Sequence, residues 1–103
     1  MTFEAIRIIR DDHPSLPGHF PGTPLVPGVV ILDEVIAALA EWRQNSQLNG
    51  IRMVKFLAPL KPQQAFTISL SLRNEHASQV NFCCRAEDRL IVEGQLEVVW
   101  GAE

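Results

Sequence analysis

Residues 28–42 read GVVILDEVIAALAEW, a helical run in which Val29, Val30, Ile31, Leu32, Val35, Ile36, Leu39 and Trp42 are apolar. These positions fall on nearly every side of a helix with 3.6 residues per turn, the pattern of a helix buried by its surroundings. One acid pair, Asp33-Glu34, interrupts the run. What covers this helix decides the fold. Upstream, residues 3–9 mix β-branched side chains with rough alternation and predict a first strand. Downstream, strands are expected at 51–58, 65–73, 79–86 and 89–99. In the segment 65–73, Ile68, Leu70 and Leu72 alternate with Thr67, Ser69, Ser71 and Arg73, as in an antiparallel sheet with one face buried. Residues 44–50 are polar and close on Asn49-Gly50, a turn signal, and Pro59 and Pro62 make the link after Phe56 irregular. The arrangement that satisfies these elements is an α+β single domain over 1–103. A curved antiparallel sheet wraps one long central helix. A single sheet covers only part of a helix that is apolar all round, so a second copy is expected to cover the remainder.

The whole chain narrows the classes of partner. At 103 residues it holds one small core. A hydrophobic share of 47% against 20% charged excludes disorder. Nine basic against twelve acidic residues give a net charge of −3, which argues against nucleic acid or an anionic membrane as partner. No basic-then-apolar leader opens the sequence, and no apolar run nears the roughly 20 residues of a membrane span. A soluble, cytoplasmic protein is expected. Cys83 and Cys84 are adjacent on a predicted strand and point to opposite faces, one into the core and one outward. They lack metal-ligand spacing. His13, beside Asp11-Asp12, reads as a solvated turn, because adjacent ligands rarely converge on one ion. His76 falls in a polar turn. No phosphate loop, nucleophile elbow or dinucleotide fingerprint is present, and no metal or cofactor is expected.

The loop before the helix carries the chemistry. His19 is followed by Pro21, Pro24 and Pro27, which fix φ and reduce what must be ordered on binding. Gly28 opens the helix, where its N–H is one of the donors the helix leaves unpaired, and no side chain blocks a ligand's approach. A carbonyl oxygen placed there is polarised; on local grounds a plain Pro-Gly turn fits equally well. Asp33 shares its helical face with Val29, Val30, Ile36, Ala37 and Ala40, all apolar, whereas Glu34 lies with Ala38 and Glu41. Burial of Asp33 favours the protonated carboxyl of a general acid. The same placement also suits a structural pair with an arginine.

Gly-His-Phe-Pro-Gly-x-Pro-x-x-Pro-Gly-Val, beginning at Gly18 and followed by an acid at 33, resembles the β-hydroxyacyl-(acyl carrier protein) dehydratases, which have the hotdog fold. Residues 55–62, KFLAPLKP, are similar to the family's second recognisable stretch. The resemblance implies dehydration of a 3-hydroxyacyl thioester, on acyl carrier protein or coenzyme A, to the trans-2-enoyl thioester. His19 is then the base at C2, Asp33 the acid at the C3 hydroxyl, and Gly28 the donor to the thioester carbonyl. It also implies a dimer, with itself or with a related dehydratase, in which the histidine and acid of one site come from opposite subunits. Val29, Leu32, Ile36 and Phe56 are expected to line the acyl tunnel. Arg52, Lys55 and Lys61 are candidates to guide an acidic carrier, though ordinary solvated charges explain them as well. The compact form is similar to small dehydratases of specialised acyl-chain assembly, such as that of polyene pigments. Where many members carry a glutamine one turn after the acid, this sequence has Ala37. Two other functions therefore stay open: a hotdog acyl-thioesterase, and a weakly active or non-catalytic partner subunit.

Overall fold

Five strands and one helix follow one another as β1 (Thr2–Ile8), α1 (Gly28–Trp42), β2 (Ser46–Phe56), β3 (Ala65–Leu72), β4 (Gln79–Ala86) and β5 (Arg89–Trp100). The computed structural model describes residues 2–10, 12–13, 25–72 and 78–100. The strands form one sheet in the order β1-β3-β4-β5-β2, with every neighbouring pair antiparallel. β1 and β2 are therefore the two edges, and α1 joins one edge to the other across the sheet. This is the α+β sheet-around-helix arrangement the sequence predicts.

Alternation builds the core. Phe66, Ile68 and Leu70 of β3, Val80, Phe82, Cys84 and Ala86 of β4, and Val92, Leu96 and Val98 of β5 are buried. They meet Val30, Ile31, Val35, Ala38 and Leu39 of α1. Burying each Val, Leu, Ile or Phe contributes about 1.5–3 kcal/mol, so this layer is the main stabilising term. At the far end of the helix, Trp42 stacks on Phe3 of β1 at 6.1 Å and the Arg43 guanidinium lies 4.7 Å from the Trp42 ring centroid. Arg7 of β1 adds ion pairs to Glu34, at 3.3 Å, and to Glu41, one turn-pair further along α1.

The structure corrects one expectation. Asn49-Gly50 is not a turn but lies inside β2. The pairing steps from Leu48↔Val98 to Gly50↔Glu97, and again from Ile51↔Leu96 to Met53↔Gln95, so Asn49 and Arg52 are extra residues in bulges. Pairing with β5 along most of the strand outweighs the local turn preference, and the bulges absorb the misfit while increasing twist. Gly94 makes this possible on the β5 side. A Cβ there stands 2.2 Å from the Met53 carbonyl oxygen and 2.7 Å from the Phe82 ring. α1 is buried by its own sheet on one side only, as a single sheet covering a helix apolar all round requires. Val29 is 63% exposed, and Asp33, Ala37 and Ala40 are exposed with it. The expected burial of Asp33 is not supplied by its own chain.

The β4–β5 hairpin turns on Glu87 and Asp88, at φ 50° and 64°, between the paired Ala86 and Arg89. Two left-handed residues in a two-residue loop are the geometry that Asn-Gly adopts with least strain. Replacing Glu87-Asp88 by Asn-Gly is expected to stabilise the chain by about 1 kcal/mol and raise Tm by roughly 4 °C in thermal unfolding. An unchanged or lower Tm contradicts it.

Candidate active site

Pro27 precedes α1 in extended conformation, and among the described residues no side chain caps the helix N-terminus. The first turn closes instead on the Pro27 carbonyl, which accepts from Val30 N–H at 3.0 Å and Ile31 N–H at 3.4 Å. The Gly28 N–H precedes both, at the positive end of the helix dipole. Phe56, at the end of β2, lays the far edge of its ring on Gly28. A Cβ at that position stands 2.6 Å from Cζ and 2.7 Å from Cε1, so glycine is required for the ring to sit there.

Around this contact lies an apolar cleft of about 480 Å³. Leu25, Val26 and Pro27 form one wall, Leu57, Ala58, Pro59 and Leu60 the other, and Ile31 with Gly28 and Phe56 completes it. Backbone hydrogen bonds fix its width. Val26 N–H donates to the Leu60 carbonyl at 2.8 Å, and the N–H groups of Leu57 and Ala58 share the Ile91 carbonyl at 2.8 and 3.2 Å.

The predicted site residues fall into two groups. Gly28 and Phe56 meet at the cleft. At about 100° per residue, Val29, Leu32, Ile36 and Asp33 instead share one sector of α1, the side its own sheet leaves open or half-covered. Glu34 points the other way and is engaged by Arg7. His19 lies outside the described residues, as do His76 and the prolines at 21 and 24. Sequence reasoning missed Leu25, Val26, Ile31 and Leu60 as cleft residues. The signal available for them was the 55–62 stretch, whose irregular backbone forms the second wall.

The remaining candidates are structural. Cys84 is buried and Cys83 half-buried, and both are free thiols. Burial, with the adjacent Cys83 adding to it, pushes the Cys84 thiol up to about 12, so it stays protonated and unreactive at neutral pH. His13 closes a turn on the Arg10 carbonyl at 3.1 Å, beside an Arg10–Asp12 ion pair. Among the described residues no three His, Cys, Asp or Glu side chains gather as a metal site, and no helix is long and apolar enough to cross a membrane.

A family model described as ApeI dehydratase, of the ApeI-like family, matches residues 2–95. The 3-hydroxyacyl-(acyl-carrier-protein) dehydratase FabZ of Ehrlichia chaffeensis is 28% identical over 100 residues, covering 89% of this chain and 70% of that protein. The fold superimposes on the dehydratase heterocomplex ApeI:P from Xenorhabdus doucetiae with a TM-score of 0.82 at 23% identity, over 94% of this chain and 86% of that one. It also superimposes on the fluoroacetyl-CoA thioesterase FlK with a TM-score of 0.72 at 12% identity, over 97% and 86% of the two chains. At these identities the two solved structures establish the hotdog fold and nothing finer.

Proposed function

Because the chain belongs to the ApeI-like dehydratase family, we propose that it removes water from a 3-hydroxyacyl thioester to give the trans-2-enoyl thioester. His19 takes the proton from C2, and the electron pair moves into the C2–C3 bond as the C3 hydroxyl departs. Asp33 protonates that hydroxyl, which leaves as water. Gly28 N–H donates to the thioester carbonyl and so stabilises the negative charge that develops on its oxygen. The observation that carries this reading is Gly28 itself, an uncapped first helical residue at the end of an apolar cleft.

The site is completed by a second subunit, either another copy or a related dehydratase. Support comes from the open sector of α1 around Asp33 and from the edge strand β2. Leu48, Ile51, Met53 and Phe56 are exposed along that strand, with Leu57 just beyond it. A long edge with such side chains favours pairing with another chain. The thioester is carried by acyl carrier protein or coenzyme A. For an acidic carrier, exposed Lys55 and Lys61 supply attraction, whereas Arg52 is already paired with Glu97 at 3.5 Å.

Ala37 favours a second reading. It stands exposed one turn after Asp33, and its methyl side chain has no hydrogen-bonding group to orient the acid. A partner subunit with little activity of its own fits that feature, and a similar fold occurs in a heterocomplex. The test is to incubate the purified protein with crotonyl and longer enoyl thioesters and follow hydration by the loss of enoyl absorbance. Hydration by the protein alone supports the dehydratase. Activity only after a related dehydratase is added supports the partner subunit, and release of free thiol marks a thioesterase.

A further inference from the structure

The chain between β1 and α1 carries His19, and both of its ends are tied to one short stretch. Gln63 N–H donates to the carbonyl of Ile9, just after β1, at 2.7 Å. Close by in sequence, the Leu60 carbonyl accepts from Val26 N–H at 2.8 Å. Three residues of chain reach about 10 Å at most, so residues 60–63 bracket the segment 10–25 at its two ends. Ile9, Val26 and Leu60 are buried where the bracket closes. Val26 lies just before Gly28, so the same bracket fixes the start of α1 against the end of β1.

The bracket is itself anchored to the sheet. Before it, the N–H groups of Leu57 and Ala58 meet the Ile91 carbonyl of β5, and after it β3 begins at Ala65. Within it a turn closes from Lys61 to Gln64. Gln64 N–H donates to the Lys61 carbonyl at 3.3 Å, and Lys61 N–H donates to Gln64 Oε1 at 3.2 Å. Pro62 holds the second position of that turn and Gln63 the third, at φ 66°. A left-handed third position after proline is where a turn favours glycine. Glutamine is strained there, and its exposed side chain gains no burial in return. What the conformation supplies is the direction of the Gln63 N–H, toward Ile9.

We infer that Gln63 is a positioning residue for His19, a statement that rests on the role of His19 proposed above. Its left-handed backbone aims the N–H that holds Ile9, and so sets where the segment carrying His19 leaves β1. The other tie, at Leu60, belongs to the cleft wall and holds the entry to α1. Loss of the Gln63 tie therefore frees one end of the segment, while Gly28 and the cleft keep their places. Acyl binding is preserved and proton transfer at C2 is not, because transfer depends on how closely the base is placed.

The test is a backbone series with two readouts. Gln63→Val puts a β-branched residue where φ 66° is strongly disfavoured, and so draws the N–H away from Ile9. Gln63→Gly keeps both the N–H and the left-handed turn. Glu87→Val places the same kind of strain in the β4–β5 turn, at φ 50°. Circular dichroism checks folding. Should Gln63→Val not fold, Gln64→Ala takes its place, since it removes the acceptor of Lys61 N–H and loosens the same turn. By hydrogen exchange and mass spectrometry, peptides from 10–25 are expected to exchange about tenfold faster in Gln63→Val than in the wild type. Gln63→Gly and Glu87→Val leave that exchange unchanged. In hydration of crotonyl-coenzyme A, kcat falls about tenfold in Gln63→Val while KM stays within about twofold, and Gln63→Gly matches the wild type. Unchanged exchange across 10–25 overturns the inference. So does an active wild type whose kcat survives Gln63→Val, or falls equally in Glu87→Val. If the wild type hydrates no enoyl thioester and exchange still rises, the dehydratase function fails and the hold of Gln63 on this segment stands.

Discussion

His19→Ala and Asp33→Asn each lower turnover of a 3-hydroxyacyl thioester by about 10²–10⁴-fold, the usual worth of a positioned general base or acid. The two losses have different causes. Alanine at 19 removes the group that accepts the C2 proton. Asparagine at 33 keeps the shape of the side chain but has no acidic proton to give the departing hydroxyl. Asp33 is exposed in its own chain and is not part of the core cluster, so its substitution is expected to change the stability of the single chain by less than about 0.5 kcal/mol. Glu34→Gln serves as the internal control. Its carboxylate is held by Arg7 on β1, 3.3 Å away, on another side of the helix, and turnover should remain within a few-fold of the wild type. The measurement is the initial rate of enoyl thioester hydration by absorbance, with circular dichroism and gel filtration showing that each variant remains folded and assembled. Near wild-type rates in both His19→Ala and Asp33→Asn remove these residues from the mechanism.

Local pattern carried the helix and most of the sheet. The apolar run at 28–42 and the alternation at 67–72 reflect periods of the backbone itself, and the structure places α1 and β3 there. Asn49-Gly50 misled because turn preference is a short-range signal, while membership of β2 depends on pairing with β5 about fifty residues away. The cover over Asp33 is not legible from the helix either. A helical wheel reports which side chains share a face, not whether the cover comes from the same chain, and here the sheet covers the opposite face. The contact of Gly28 with Phe56 joins two residues whose separation in sequence gives no hint of proximity. Only the fold of β2 across the start of α1 brings them together. The 55–62 stretch was visible as a pattern, but its work as a cleft wall depends on hydrogen bonds to Ile91 and Val26 that no local signal contains.

The second large effect follows from what the single chain leaves open. Gly28 and Phe56 share the cleft, while Asp33 projects from another sector of α1 among Val29, Leu32 and Ile36. If a neighbouring subunit brings its histidine to that sector, each active site takes His19 from one chain and Asp33 from the other. His19→Ala and Asp33→Asn proteins are then inactive separately and active together. In a mixed dimer the two substitutions fall in the same site, and the other site keeps both native residues. Random exchange of subunits at equal concentrations makes half of the dimers mixed, so about a quarter of the wild-type rate should return. Recovery must follow subunit exchange, which brief treatment with dilute denaturant accelerates, and it must exceed the sum of the separate rates. If His19 and Asp33 of the same chain form the site, every site in the mixture lacks one group and no activity returns however long exchange proceeds. Recovery near a quarter identifies the open sector of α1 as half of a shared site, and places its missing histidine on the chain that covers it.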